Sequence, residues 1–103
     1  MGRRTLVVED HPLTRAALVG LLEQHEFPIV AEAGDGEEAI ERARELRPDI
    51  VLLDLSMPGM SGLEALPRLR AASPGSEVVV LTASDTEENL LAAMRSGDSV
   101  FSR

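Results

Sequence analysis

The 103 residues contain no cysteine, which excludes a disulfide framework, a thiol nucleophile and a thiolate-held metal, and fits a reducing cytoplasm. Tryptophan and tyrosine are absent as well. Phe27 and Phe101 are the whole aromatic complement, so any core must be aliphatic. No apolar run approaches the ~18 residues of a membrane span. The opening Met1-Gly2-Arg3-Arg4 lacks the long apolar stretch of a secretion leader, so a cytoplasmic domain without membrane contact is expected. Lysine is missing too: all ten basic residues are arginine. Eighteen acids against those ten give a net charge of −8, the wrong sign for gripping a phosphate backbone, so direct nucleic-acid binding is not expected. Such a surface attracts cations and basic partners instead. There is no linker, repeat or low-complexity tract, and the length suits one small domain.

What is present alternates. Thr5-Leu6-Val7-Val8 is a short β-prone run that stops at Glu9-Asp10. His11-Pro12 follows, with Pro12 suited to the first position of a helix. Leu13, Ala16, Ala17, Val19 (or Gly20), Leu21 and Leu22 then recur roughly at helical spacing to about Gln24. After Pro28, Ile29 to Ala33 is the next strand candidate. Asp35 and Glu38 have capping-box spacing, and Ala39, Ile40, Ala43 and Leu46 mark the apolar face of a second helix. Ile50 to Leu53 is continuously apolar, as in a strand buried on both faces, and ends at Asp54. Ser61 and Glu64 cap a third helix, in which Pro67 predicts a kink or a late start. The turn Ser73-Pro74-Gly75-Ser76 leads to a second fully apolar strand, Val78 to Leu81. Ser84 and Glu87 cap a fourth helix with Leu90, Leu91, Ala93 and Met94 inward, ended by Gly97. Ser99 to Arg103 alternates like a strand fragment.

Strand and helix alternate four times, which implies right-handed βαβ units and a parallel sheet covered on both faces. The fold class is α/β, a flavodoxin-like doubly wound parallel sheet of order 2-1-3-4-5, with an incomplete fifth strand and no fifth helix. In that order the first and third strands are neighbours, and Glu9, Asp10 and Asp54 meet at the carboxyl edge, where such sheets bind ligands.

Singly, an Asp at a strand end is a turn or cap residue, Glu9-Asp10 is solvated charge or a cap, and Thr82 is an ordinary strand or capping residue. Their coincidence on one edge carries more. Three converging carboxylates repel one another and raise the pKa of at least one. A hard divalent cation removes the conflict, and Mg²⁺ takes such oxygens together with waters and a phosphate oxygen. The backbone carbonyl of Ser56 offers a further oxygen. An ionised Asp54 beside the metal could attack phosphorus to form an aspartyl-phosphate, and the Thr82 hydroxyl could bond a phosphoryl oxygen. His11 reads as a helix-entry residue rather than a ligand.

Over essentially its whole length the chain resembles the receiver domain of two-component response regulators. The motifs that carry the resemblance are Leu6-Val7-Val8-Glu9-Asp10-His11-Pro12, then Pro48 through Glu64, then Val80-Leu81-Thr82-Ala83. The pattern is most like receivers attached to LuxR-type helix-turn-helix output domains. The resemblance implies that Asp54 is phosphorylated by a histidine kinase. It implies that Asp10 binds Mg²⁺ directly, Glu9 mainly through water and Ser56 through its carbonyl. Thr82 becomes the switch hydroxyl and Phe101 the switch aromatic, and phosphorylation shifts the population between two states.

The chain also departs from that family. The family's invariant Lys falls one place beyond Arg103, so residues 1–103 read as a truncated receiver with no output domain. Arg103, one residue early, points to the wrong strand face. Losing a preorganised electrostatic donor costs about 2.7–4 kcal/mol, so phosphorylation or its switching effect is expected to be impaired. In the family a fifth helix packs beside the first. Without it, apolar surface of the first helix and the sheet is expected to be exposed, and covered by a partner chain in a homodimer or an element-exchanged oligomer. The first reading is therefore a phosphoacceptor signalling module rather than a turnover enzyme. The alternative is a receiver-like interaction module that works without phosphorylation. A phosphohydrolase of the haloacid dehalogenase type needs a second Asp two residues after the nucleophile, where this chain has Ser56.

Overall fold

The structure, a computed structural model, describes residues 2–54, 62–81 and 87–96. Four strands, β1 (Thr5–Val8), β2 (Ile29–Ala33), β3 (Ile50–Asp54) and β4 (Glu77–Leu81), alternate with four helices, α1 (Pro12–Gln24), α2 (Gly36–Leu46), α3 (Gly62–Ala72) and α4 (Glu87–Ser96). All strand pairs are parallel and the order is β2-β1-β3-β4, the flavodoxin-like order expected, as far as the described residues extend. The strand fragment expected over Ser99 to Arg103 lies outside them.

Local chemistry explains the boundaries. His11 is the N-cap of α1: its Nδ1 accepts from the Thr14 backbone N–H at 3.4 Å, and Pro12 occupies the first helical position. Asp35 caps α2, its Oδ1 accepting from the Glu38 N–H at 2.8 Å. Glu38 returns the favour one residue early, accepting from the Gly34 N–H at 2.9 Å. Arg47 ends α2 in the left-handed region, at φ 45°, and Arg4 donates to the α2 carbonyl of Leu46 and to that of Arg47, a cation at a helix C-terminus. Pro67 does not delay α3, which runs through it from Gly62. The ring lies on the exposed side of the second turn, away from the core made by Ala65, Leu66 and Leu69.

The strands bury alternate residues on two faces. Leu6, Val8, Val51, Leu53, Val78 and Val80 pack under α2 and α3, against Ala39, Ile40, Ala43, Ala65, Leu66 and Leu69. Val7, Ile50, Leu52 and Val79 pack on the other side with Leu22 of α1, Phe27, and Leu90, Leu91 and Met94 of α4. Two expectations change here. The face of α1 read from the sequence is mostly outward: Leu13, Ala16, Ala17 and Gly20 are exposed, Leu22 is buried, and Leu18, Val19 and Leu21 are partly buried. Spacing alone gave a broad apolar arc, and the helix uses only its C-terminal half. The sheet on that side is not bare either, because α4 covers it, in the place that the resemblance gives to a fifth helix.

Candidate functional site

The strand register brings the acids together. Val8 pairs with Leu53 across β1 and β3, so Glu9, the next residue, comes level with Asp54, the last of β3. Asp10 follows at the entrance to α1. Each of the three offers a carboxylate oxygen, and these oxygens all lie within 4.8 Å of one another. Glu9 and Asp54 are buried and Asp10 is partly exposed, so the cluster opens to solvent on the Asp10 side.

Burial sets the electrostatics. The Glu9 carboxyl is pushed up to about 7, chiefly because burial penalises its charged form. The Asp54 side chain adds to the rise by hydrogen bonding and by charge, and Asp10 adds by a further hydrogen bond, while the His11 backbone N–H pulls the other way. That N–H donates to Glu9 Oε2 at 3.0 Å. A proton is thus one means of relieving the crowding. A hard divalent cation is the other, and the donor set of three oxygen ligands, two of them buried, fits Mg²⁺.

Glu9 is fixed from several directions. Its N–H donates to the Ala33 carbonyl of β2 at 2.9 Å. Its own carbonyl accepts from Arg15 Nη1 at 2.8 Å. Arg15 Nε reaches Glu32 Oε1 of β2 at 3.1 Å. Neither Arg15 nor Glu32 stands out in the sequence. The one available signal is that Arg15 is a cation in the first turn of a helix that starts right after Glu9-Asp10, where the helix dipole disfavours it.

Of the site residues read from the sequence, the structure gathers Glu9, Asp10 and Asp54. Ser56, Thr82 and Phe101 lie outside the described residues. Leu81, which pairs with Asp54 across β3 and β4, directly precedes Thr82 in the chain.

The domain is a doubly wound parallel α/β fold with an acidic cluster at the carboxyl edge of its sheet, the edge where such folds bind ligands. Residues 5–101 match the response regulator receiver domain, and the chain belongs to that family. It is 42% identical over 93 residues to the nitrate/nitrite response regulator protein NarL of Escherichia coli K12, covering 89% of this chain and 43% of that protein. It is 32% identical over 101 residues to the chemotaxis protein CheY of Thermotoga maritima, covering 98% of this chain and 84% of that one. The solved receiver domain of a NarL-type regulator from Mycobacterium tuberculosis superposes with a TM-score of 0.74 at 33% identity, covering 94% of this chain and 79% of that one. The chain spans less than half the length of NarL. Among the described residues, no helix is long and apolar enough to cross a membrane.

Proposed function

We propose that this receiver domain accepts a phosphoryl group from a histidine kinase on Asp54, with Mg²⁺ held by Glu9, Asp10, Asp54 and the backbone carbonyl of Ser56. The observation that carries the reading is the convergence of three carboxylates within 4.8 Å at the carboxyl edge of β1 and β3. When bound, the cation neutralises charge on the transferring phosphoryl group. The chain's own part is to hold Asp54 at a rigid strand end, buried and aimed into the cluster, so that a carboxylate oxygen meets phosphorus in line. Thr82 and Phe101 serve as the switch hydroxyl and the switch aromatic. The role is signalling in the cytoplasm rather than turnover. In a longer protein of the NarL kind, DNA binding belongs to a separate segment. Pairing with a second copy is part of this proposal.

These 103 residues contain no lysine, so a polypeptide of this sequence offers no lysine ammonium to the phosphoryl group. Its labelling is expected to be slow, and the absence of lysine is the observation favouring the second reading, an interaction module that works without phosphorylation. Incubation with acetyl phosphate and Mg²⁺ followed by intact mass tests both. Slow, partial gain of one phosphoryl group, lost in Asp54→Asn, is the expected result. Labelling that persists in Asp54→Asn overturns the assignment of the acceptor. Rapid stoichiometric labelling overturns the impairment, and none at all leaves the interaction module.

A further inference from the structure

We propose that Arg15 is the positioning residue of the acidic cluster, fixing the backbone from which Glu9 and Asp10 project so that their carboxylates converge with Asp54. The inference rests on the Mg²⁺-binding reading above. One guanidinium ties three elements together. It belongs to the first turn of α1, it donates through Nη1 to the Glu9 carbonyl at 2.8 Å just past β1, and it donates through Nε to Glu32 Oε1 of β2 at 3.1 Å. The Glu9 N–H is committed to β2 through Ala33. The peptide unit linking Glu9 to Asp10 is held on its carbonyl side by Arg15, so the direction of both side chains depends on that bond.

The residue type follows from the task. Two donors at a fixed angle, aimed at one acceptor just past β1 and another on β2, are what a planar guanidinium supplies and a single ammonium does not. The buried Glu9 carbonyl needs a donor in any case, because an unpaired buried backbone oxygen costs free energy. The cost on the other side is visible: a cation near a helix N-terminus opposes the macrodipole.

A positioning role and a plain charge effect differ in sign. As a charge alone, Arg15 repels a divalent cation, and removing it tightens Mg²⁺ binding. As a positioning residue, its removal loosens the ligands and weakens binding. The experiment is calorimetric titration of Mg²⁺ into the 103-residue chain, with circular dichroism and a urea midpoint for each variant. Arg15→Ala is expected to weaken Mg²⁺ about fivefold, the scale of one net hydrogen bond. Arg15→Lys, which retains a donor for the Glu9 carbonyl, recovers part of that loss. Arg15→Lys leaves the charge unchanged, so weaker binding in it than in the wild type is a positioning effect, which keeps the test open if Arg15→Ala does not fold. Unchanged or tighter Mg²⁺ binding in the folded Arg15 variants overturns the proposal. A wild-type chain that binds no Mg²⁺ overturns the reading beneath it, and that outcome is seen before any variant is made.

Discussion

The two faces of the sheet are closed by different means. Under α2 and α3 the seal comes from small residues: Ala39, Ala43 and Ala65 are fully buried and let two helices lie close to the strands, with Leu66 and Leu69 filling the space between. On the opposite face α1 contributes one fully buried side chain, Leu22, and leaves Leu13 78% exposed. That face is completed from far along the chain by Leu90, Leu91 and Met94 of α4. Handedness shows what this means. The step from β1 to β2 runs in one direction across the sheet, and the steps to β3 and β4 run in the other, so right-handed crossovers place α1 on one face and α2 and α3 on the other. A further strand outside β4 would continue the second direction and need α4 on the face of α2 and α3. In the structure α4 lies with α1 instead. One face is therefore built from successive, mutually adjacent units, and the other depends on a helix whose apolar side could serve either.

The largest expected effect lies on the closed face. Leu69 is 1% exposed among alanines and strand valines, neighbours with little room to collapse. Leu69→Ala is expected to destabilise the chain by about 3–5 kcal/mol, measured by urea unfolding. A loss below that of Met94→Ala in α4 would reverse the ranking of the two faces.

Next comes the cluster at the sheet's edge. Glu9 titrates at about 7 in the folded chain against 4.5 for the free side chain, so between those values the folded form holds the extra proton. The stability gained from it is fully present below pH ~4.5 and is lost as pH rises through ~7, in total about 3 kcal/mol without metal. The urea midpoint without Mg²⁺ should fall across that window, and Glu9→Gln should flatten the fall. Added Mg²⁺, which needs the ionised carboxylate, should stabilise the wild type more at pH 8 than at pH 6. A flat profile for the wild type would show that Glu9 is not held in a desolvated site.

Met94 tests the open face. It is fully buried, yet α4 can shift over the strands when the side chain is shortened, so Met94→Ala is expected to cost about 2 kcal/mol. The side chosen by α4 is checked directly by methyl NOEs. Leu90, Leu91 and Met94 should show them to the set Val7, Ile50, Leu52 and Val79. NOEs to Val78, Val80 and Leu66 would put α4 on the other face and remove the comparison.

Those tests fall where the sequence was least informative. Continuous apolar runs at Ile50–Leu53 and Val78–Leu81 could be read as central strands because burial on both faces leaves no polar positions. His11, Asp35 and Glu38 could be read as helix starts because capping is local chemistry. The acids at the ends of β1 and β3 converged because parallel register follows from strand order. The side taken by α4 was not legible, since an amphipathic pattern says that a helix has a buried face and nothing about which sheet surface receives it. Arg15 was missed for a related reason. Its partners are a backbone carbonyl and a glutamate on another strand, and neither leaves a mark in spacing.

The smallest effect is expected at Leu13. It is the one large apolar side chain that is highly exposed among the described residues, and it stands one turn from the acidic cluster on the uncovered side of α1. Leu13→Gln removes little buried surface, since Leu13 is 78% exposed, so its stability at low protein concentration should stay within about 0.5 kcal/mol of the wild type. Its informative readout is concentration dependence. If a second copy of this chain covers the outer side of α1, the wild type gains stability with protein concentration by mass action, and Leu13→Gln removes that gain without changing the monomer. If α4 alone completes this face, both proteins unfold at the same urea midpoint at every concentration. Equal behaviour would make the α1–α4 face self-sufficient, and a difference confined to high concentration would make it the surface through which two receivers meet.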